Sequence, residues 1–430
     1  MTATQNPHTP SRWDTGRQVS KNGDMPRHVA ILGSTGSIGT QALEVIAAHR
    51  DRFAVAALAA GGNRPELLAR QAIDFEVPLI AIAKASAVQD VQLALYAEAQ
   101  RRGYAEGDFR MPKIIAGPDA ATEAARTRCD VVLNGMTGAV GLLPTLAALA
   151  QGTTLALANK ESLIIGGELV MSAAKPGQLV PVDSEHSALA QAMRGERVED
   201  VHKLIVTASG GPFRGKTRAE LGNVTPPQAM AHPTWDMGPV ITINSATLVN
   251  KGLEVIESHL LFGIGFDRIE VAVHPSSIVH SMVEFVDGST MLQASPPDMK
   301  LPIALGLAWP DRLPGAVKAC DWTDRAVWEF FPLDNEAFPA VMLARKAGEF
   351  AKTAPAVFNA ANEVCVDAFI AGDLDFLGIV DTVNAVVTEH MLDADVKSSQ
   401  LDLSTVLAAD TWARARAQEL TARTVLDENK

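Results

Sequence analysis

The chain has 430 residues, 47% of them hydrophobic and 20% charged, with 37 Lys and Arg against 50 Asp and Glu for a net charge of −13. At roughly 150 residues per domain this length suggests about two or three domains. The composition excludes wholesale disorder, a collagen-like fibre and a disulfide scaffold, and the acidic balance excludes nucleic acid or an anionic membrane as the default partner.

Residues 1–26 are polar and lack the apolar core of a signal peptide, so they read as a disordered extension. From 27 to 182, short apolar runs alternate with helical patterns. Strands are expected at His28–Leu32, Ala54–Ala59, Leu79–Ala83, Val131–Asn134, Thr154–Ala158 and Leu179–Val182. Helices are expected at Thr40–His49, Pro65–Ile73, Ala87–Arg101 and Val140–Ala150. This alternation predicts a doubly wound, Rossmann-like α/β domain. The uncharged stretch Val131–Asn159 is the best membrane-span candidate, but its Gly, Pro, Asn and Gln interruptions favour strand–helix–strand and a soluble, membrane-free protein.

Beyond 183 the texture changes to Gly/Pro/Ser/His clusters between strands expected at Lys203–Ala208, Ile241–Ile243 and Glu270–Val273. A central α+β domain over 183–308 is expected, with a loop at 229–239. A linker follows over 309–334, rich in Trp, Phe and Pro. The region 335–430 reads as a C-terminal helical bundle, with helices such as Ala337–Ala347 and Ala356–Ala371. Cys129, Cys320 and Cys365 are far apart and lack zinc spacing, which fits small buried hydrophobes in a reducing cytosol.

Gly33-Ser34-Thr35-Gly36-Ser37-Ile38-Gly39 links the first strand to the first helix, the context in which glycines let a pyrophosphate approach a helix N-terminus. The next strand ends in Leu58-Ala59-Ala60-Gly61-Gly62-Asn63-Arg64, without the acid that an NAD ribose usually requires. Arg64 can pair with a 2′-phosphate and Asn63 can hydrogen-bond to it, which favours NADP. Asp183 and Glu185, at i and i+2 on a segment read as extended, would point the same way as two oxygen ligands for a hard cation; a solvated loop is the alternative. Ser209-Gly210-Gly211-Pro212-Phe213 is either an anion-binding nest or a tight turn.

Ser245 to Glu254 reads as a helix capped by Asn244 or Ser245. It puts Asn250 and Glu254 on one face and adds Lys251, a phosphate-type cation. With Asp183 and Glu185, Glu254 completes a three-oxygen set suited to Mg²⁺ or Mn²⁺. Trp235, in the Pro/Gly-rich run His232–Pro239, is either a lid over a small substrate or packing on its own domain. His274 and His280 carry little weight alone.

Taken in order, Gly33–Gly39, Asn159-Lys160-Glu161-Ser162, Asp183–His186, Ser209–Phe213, His232–Gly238 and Ser245–Glu254 resemble the 1-deoxy-D-xylulose 5-phosphate reductoisomerase family over residues 27 to about 400. The resemblance implies a cytoplasmic homodimer that uses NADPH and one Mg²⁺ or Mn²⁺ per subunit to make 2-C-methyl-D-erythritol 4-phosphate for isoprenoid synthesis. It implies metal ligation by Asp183, Glu185 and Glu254. Lys160, Ser184, Ser209, His232, Trp235, Ser245, Asn250 and Lys251 would bind substrate. Lys160, Glu185, His186 and Lys251 would form the catalytic group. Gly33, Thr35, Gly36, Ser37, Ile38, Gly39, Gly62, Asn63, Arg64, Asn159, Glu161, Gly238 and Met299 would line the cofactor site. Trp235 and Met237 would belong to a flap, and His280 would lie near the site. Two rivals remain at this level: another NADP-dependent dehydrogenase, such as one acting on a semialdehyde, and a cofactor-binding redox sensor without turnover.

Overall fold

The computed structural model describes residues 25–105, 107–235 and 237–428. The expected N-terminal extension lies outside the described residues except for Met25 and Pro26. Seven parallel strands form the first sheet: β1 (Arg27–Leu32), β2 (Phe53–Ala60), β3 (Leu79–Ile82), β4 (Lys113–Ala116), β5 (Val131–Asn134), β6 (Thr154–Leu157) and β7 (Leu179–Pro181). Their order is β4-β3-β2-β1-β5-β6-β7, so the winding direction reverses between β1 and β5. In an open sheet of this kind, ligands bind at the carboxyl ends beside that reversal. β5 is wholly buried and β1 is buried from Val29 onward, as strands covered on both faces must be. β4 had no counterpart in the sequence reading; Lys113-Ile114-Ile115-Ala116 is short and only partly buried at the sheet's edge.

The second sheet has the order β11-β10-β8-β9-β12, built from β8 (Val201–Ala208), β9 (Ile269–Val273), β10 (Val279–Phe285), β11 (Thr290–Ala294) and β12 (Phe331–Pro332). β8 and β9 run parallel and the other pairs antiparallel. Helices Ser184–Ala192 and Val249–Phe262 pack on this sheet. The third region holds helices Ala340–Phe350, Ala354–Ala371, Phe376–Leu392 and Leu403–Glu428.

Three local expectations fail for physical reasons. Ile241–Ile243 is not a strand but lies inside helix Pro239–Ala246. The β-branched triplet favours a strand, yet Pro239 at the first turn presets helical φ, and the buried Ile243 face decides the outcome. The helix expected from Ser245 onward is two helices. The chain breaks at Leu248, whose φ is +59°, and restarts at Val249. Helix Lys300–Ala308, expected with the central region, packs instead against the first sheet and α1 (Ser37–Ala48). Gly306 permits this, because a Cβ there would meet Val182 at 2.8 Å.

Helix Ala354–Ala371 is more than part of an appended bundle. It touches helices Lys160–Gly166 and Pro239–Ala246 and so reaches the elements that carry the candidate site.

Candidate active site

A cavity of about 470 Å³ opens between the carboxyl edge of the first sheet and the end of the second where β8 finishes and β10 begins. Ser37 and Ile38 of the glycine turn line one end, with Met299. Asp183, Ser184, Glu185, Lys160 and Glu254 line the middle. Ser209, His232, Ser245, Asn250 and Lys251 line the far side, beneath Trp235, Met237 and Gly238. Asp236, between Trp235 and Met237 in this loop, lies outside the described residues.

The carboxylates converge by a route other than the one expected from spacing. Asp183 is the N-cap of helix Ser184–Ala192 and Glu185 sits in its first turn, so they do not share a face of an extended segment. Strand β7 delivers both to the sheet's carboxyl edge, and Glu254 comes from helix Val249–Phe262. One oxygen from each of Asp183, Glu185 and Glu254 lies within 4.8 Å of the others. Such a buried anionic set needs positive charge. Lys160 Nζ contacts Asp183 and donates to Glu254 Oε1 at 2.9 Å and Asn250 Oδ1 at 3.0 Å. Lys251 Nζ donates to Glu185 Oε1 at 2.7 Å and also contacts Glu254.

These contacts set the ionisation. Burial opposes the Lys160 charge, but Asp183 and Glu254 outweigh it and hold the ammonium well above its ordinary value. Lys251 is raised in the same way by Glu185 and Glu254, against its burial. Asp183, although buried, is pulled below the ordinary carboxylate range by Lys160 and His186. Glu254 moves the other way: burial and the neighbouring Glu185 raise it, beyond what the two lysines recover.

His186 stands behind this cluster rather than in it. It is 0% exposed and absent from the cavity wall, which corrects its expected place among the groups touching the reacting atoms. Its Nδ1 faces Glu257 at 3.1 Å and Asp183 at 3.7 Å, and its Nε2 lies 2.9 Å from the Glu254 carbonyl and 3.0 Å from Ser258 Oγ. Its nearer acidic partner is Glu257, and Asp183 stands beyond hydrogen-bond distance. Glu257, a fourth buried acid, was missed; its i, i+3 offset from Glu254 was the available signal.

On the far side, Gly210 and Gly211 have φ of +85° and +64°. A Cβ on Gly211 would meet the Ser245 carbonyl at 2.8 Å, so only glycine lets this loop lie against helix Pro239–Ala246. His232 Nδ1 accepts from the N–H of Thr234 at 3.1 Å and of Trp235 at 2.9 Å. The ring proton is therefore on Nε2, which donates to Ser209 Oγ at 3.0 Å. Burial lowers the His232 pKa and favours this neutral form. Trp235 packs edge-on to His280, with ring centroids 6.4 Å apart, and His280 lines the cavity. His274 stacks on Phe330 and lies outside the cavity wall.

At the nucleotide end, Gly33 has φ +84° and a Cβ on Gly39 would lie 2.3 Å from the Gly33 carbonyl oxygen. Gly36 caps α1 without a side chain, which leaves the helix N-terminus bare. Thr35 and Gly62 lie in the adjoining turns. Arg64 donates to the Thr35 carbonyl at 2.9 Å, and Asn63 Oδ1 accepts from Lys84 Nζ at 2.7 Å.

Of the residues expected to line the cofactor site, Ser37, Ile38, Gly238 and Met299 line this cavity, whereas Gly33, Thr35, Gly36, Gly39, Gly62, Asn63, Arg64, Asn159 and Glu161 do not. Asn159 is spent on structure: Oδ1 accepts from Ser162 N at 2.8 Å, and Nδ2 donates to the Met136 and Gly138 carbonyls at 2.8 and 3.0 Å. It caps helix Lys160–Gly166 and so aims Lys160. Burial pushes the Glu161 carboxyl up to about 7, with Glu363 adding to the rise. Gln41, one helical turn beyond Ser37, lines the cavity and was missed although its spacing announced it. Asn362 was also missed. Both it and Asn244 are buried, and its Nδ2 donates to Asn244 Oδ1 at 2.9 Å, next to Ser245.

Residues 29–167 match the family described as 1-deoxy-D-xylulose 5-phosphate reductoisomerase, 179–262 its C-terminal domain, and 294–416 the DXP reductoisomerase C-terminal domain. The 1-deoxy-D-xylulose 5-phosphate reductoisomerase of Kitasatospora griseola is 61% identical over 394 residues, covering 92% of this chain and 100% of that protein. A reductoisomerase structure from Zymomonas mobilis in complex with NADPH superposes with a TM-score of 0.82 at 39% identity, covering 92% of this chain and 99% of that one. A DOX-P reductoisomerase structure with NADPH, fosmidomycin and magnesium gives 0.82 at 34% identity, covering 92% and 98%.

Proposed function

Because this chain belongs to the 1-deoxy-D-xylulose 5-phosphate reductoisomerase family, we propose how its own residues divide the work of that family's reaction. The chain is an NADPH- and divalent-metal-dependent oxidoreductase that isomerises and reduces 1-deoxy-D-xylulose 5-phosphate to 2-C-methyl-D-erythritol 4-phosphate.

Asp183, Glu185 and Glu254 would hold magnesium, or manganese in its place, one ion per subunit. The all-oxygen donor set fits a hard cation, and the two lysines drawn onto the carboxylates show how strongly that cluster demands positive charge. When bound, the ion supplies Lewis-acid polarisation of the substrate's carbonyl and hydroxyl oxygens. Lys160 Nζ, aimed by the Asn159 cap, and Ser184 would orient the sugar oxygens. Lys160, held as an ammonium by Asp183 and Glu254, would keep its proton there. Lys251, Asn250, Ser245, Ser209 and the Nε2–H of His232 would grip the phosphate, which lies remote from the reacting carbons; its binding energy then serves orientation and closure. Trp235, Met237 and Gly238 would exclude water from above.

The nicotinamide end would lie against Met299 and Ile38, with the pyrophosphate over Gly36 and Ser37. Gly33 and Gly39 make the cradle, Thr35 and Gly62 shape its rim, and Asn63 and Arg64 would receive the 2′-phosphate. In domain terms, 27–182 would bind the nucleotide, 183–308 would carry metal and substrate under the flap 229–239, and 309–334 would link to the helical region 335–430. Helix Lys300–Ala308 is the exception, since it docks on the nucleotide sheet.

The observation that carries this reading is the meeting of Asp183, Glu185 and Glu254 in one cavity with the glycine turn. The test follows NADPH absorbance with deoxyxylulose phosphate. EDTA should abolish turnover and excess magnesium restore it, while NADPH binding, followed by fluorescence, persists in EDTA. Turnover indifferent to chelation would remove the metal role. The semialdehyde rival needs its own nucleophile or a clamp for a substrate carboxylate, and Cys129, the nucleophile weighed for it, is outside the cavity with its thiol pushed up to about 11 by burial.

A homodimer is the proposed assembly. The β11 edge exposes Met291 and Leu292, and the linker exposes Trp322 and Val327. An open apolar edge invites a second copy. Leu292→Lys should shift the mass measured by light scattering from dimer to monomer. Three free cysteines support a cytoplasmic location, and no described helix is long and apolar enough to cross a membrane.

A further inference from the structure

The turn after β2 is pressed onto the turn after β3. Gly62 has φ +98°, and a Cβ there would lie 2.7 Å from the Ala87 Cβ and 3.1 Å from Ile82. Only glycine permits that approach. The backbone seals it: Ala83 N donates to the Ala60 carbonyl at 3.0 Å and Lys84 N to the Gly61 carbonyl at 3.3 Å. The consequence is that Lys84, which follows β3, delivers Nζ to within 2.7 Å of Asn63 Oδ1.

Neither Lys84 nor Arg64 has a carboxylate partner among the described residues. Arg64 is held by the Thr35 carbonyl alone, and Lys84 by Asn63. Two cations without counter-charge thus flank Asn63 in a protein whose net charge is −13. No acid stands between Leu58 and Arg64 to compensate them. With Oδ1 of Asn63 occupied by Lys84, its Nδ2 remains to donate outward. The site lies at the carboxyl end of β2, where a dinucleotide on this fold presents its adenosine ribose. A group with two negative charges and several acceptor oxygens meets that demand, and a bare hydroxyl does not.

We propose that Lys84 is a specificity-determining residue for the cofactor: a second cationic arm that, opposite Arg64, encloses the 2′-phosphate and selects NADPH over NADH. The proposal rests on the placement of NADPH given above, and it adds a residue from a different strand. The competing account is an exposed lysine–asparagine bond with no ligand, which contributes little to anything.

The test is equilibrium binding to the full-length protein, read by quenching of intrinsic fluorescence, with NADPH and NADH titrated separately. Lys84→Met should raise the NADPH Kd by about tenfold and move the NADH Kd by less than twofold, and Lys84→Arg should recover most of the loss. The Lys84→Met effect should shrink as ionic strength rises, because the interaction is partly exposed. Equal weakening of both cofactors, or no change in either, would overturn the role of Lys84. Arg64→Met separates this failure from failure of the underlying placement. If Arg64→Met alone distinguishes the two cofactors, Lys84 is not an arm of the site. If neither variant does, the 2′-phosphate is bound elsewhere and both readings fall.

Discussion

Glu254→Gln should lower kcat by about three orders of magnitude while leaving the NADPH Kd within about threefold. The residue is 1% exposed, and both of its oxygens are engaged: Oε1 by Lys160 and Asn250, Oε2 by Lys251. An amide keeps the shape but replaces one acceptor oxygen with a donor NH₂. That NH₂ would face either an ammonium group or the cation that Asp183 and Glu185 would share with it. Substitution therefore removes a ligand and adds a repulsive dipole at the same point. Lys251 loses one of its two anchors, so the KM for deoxyxylulose phosphate should also rise, though less than kcat falls. The glycine turn belongs to other elements and should not feel the change. Loss of fold is excluded separately. Burial and Glu185 oppose the Glu254 charge while Lys160 and Lys251 favour it, so these effects offset and the change in Tm should be small in a thermal melt. Equal loss of turnover and NADPH affinity, or a large fall in Tm, would sink the assignment.

What the sequence disclosed follows from where the information is local. The parallel sheet was readable because β1, β2 and β5 are buried on both faces and are written as unbroken apolar runs. The turn Gly33–Gly39 was readable because its demands fall on adjacent residues. The carboxylates were named on chemistry, but the geometric reason given for Asp183 and Glu185 was wrong. A segment assumed to be extended is a helix N-terminus, and the side chains meet because a strand end and a separate helix face the same cavity. Local pattern also misled at Ile241–Ile243, where tertiary burial overrides strand preference. The positions of His186 and Asn159 could not be read at all. Each side chain is turned away from the cavity by partners distant in sequence: Glu257 and Ser258 for His186, and Met136 and Gly138 for Asn159. Asn362 is the same case from the other side. Its helix also carries Asn359, Glu363 and Asp367, so nothing local singled it out, and its partner Asn244 lies 118 positions away.

Gly39→Ala should raise the NADPH Kd by at least about a hundredfold, because a single methyl group there has nowhere to go. The Cβ would lie 2.3 Å from the Gly33 carbonyl oxygen and 2.5 Å from Ser34 Cα. Both are backbone atoms, so no rotamer change relieves the overlap. The first turn of α1 must move off the end of β1. That movement displaces the free N–H groups at the helix start from the pyrophosphate they would receive. Gly36→Ala is the control within the same motif. Its Cβ would meet only the Gly33 carbonyl oxygen, at 3.3 Å, and its φ of −82° suits any residue. Its effect on the NADPH Kd should stay below about tenfold. The carboxylate cluster and the Ser209–Gly211 loop stand on different elements, so calorimetric binding of deoxyxylulose phosphate with magnesium should persist in Gly39→Ala within about fivefold. A variant that loses both ligands together would mean that the glycine turn supports the whole cavity rather than its nucleotide end. Equal losses in Gly36→Ala and Gly39→Ala would mean that helix–strand contact is not what shapes the cofactor site.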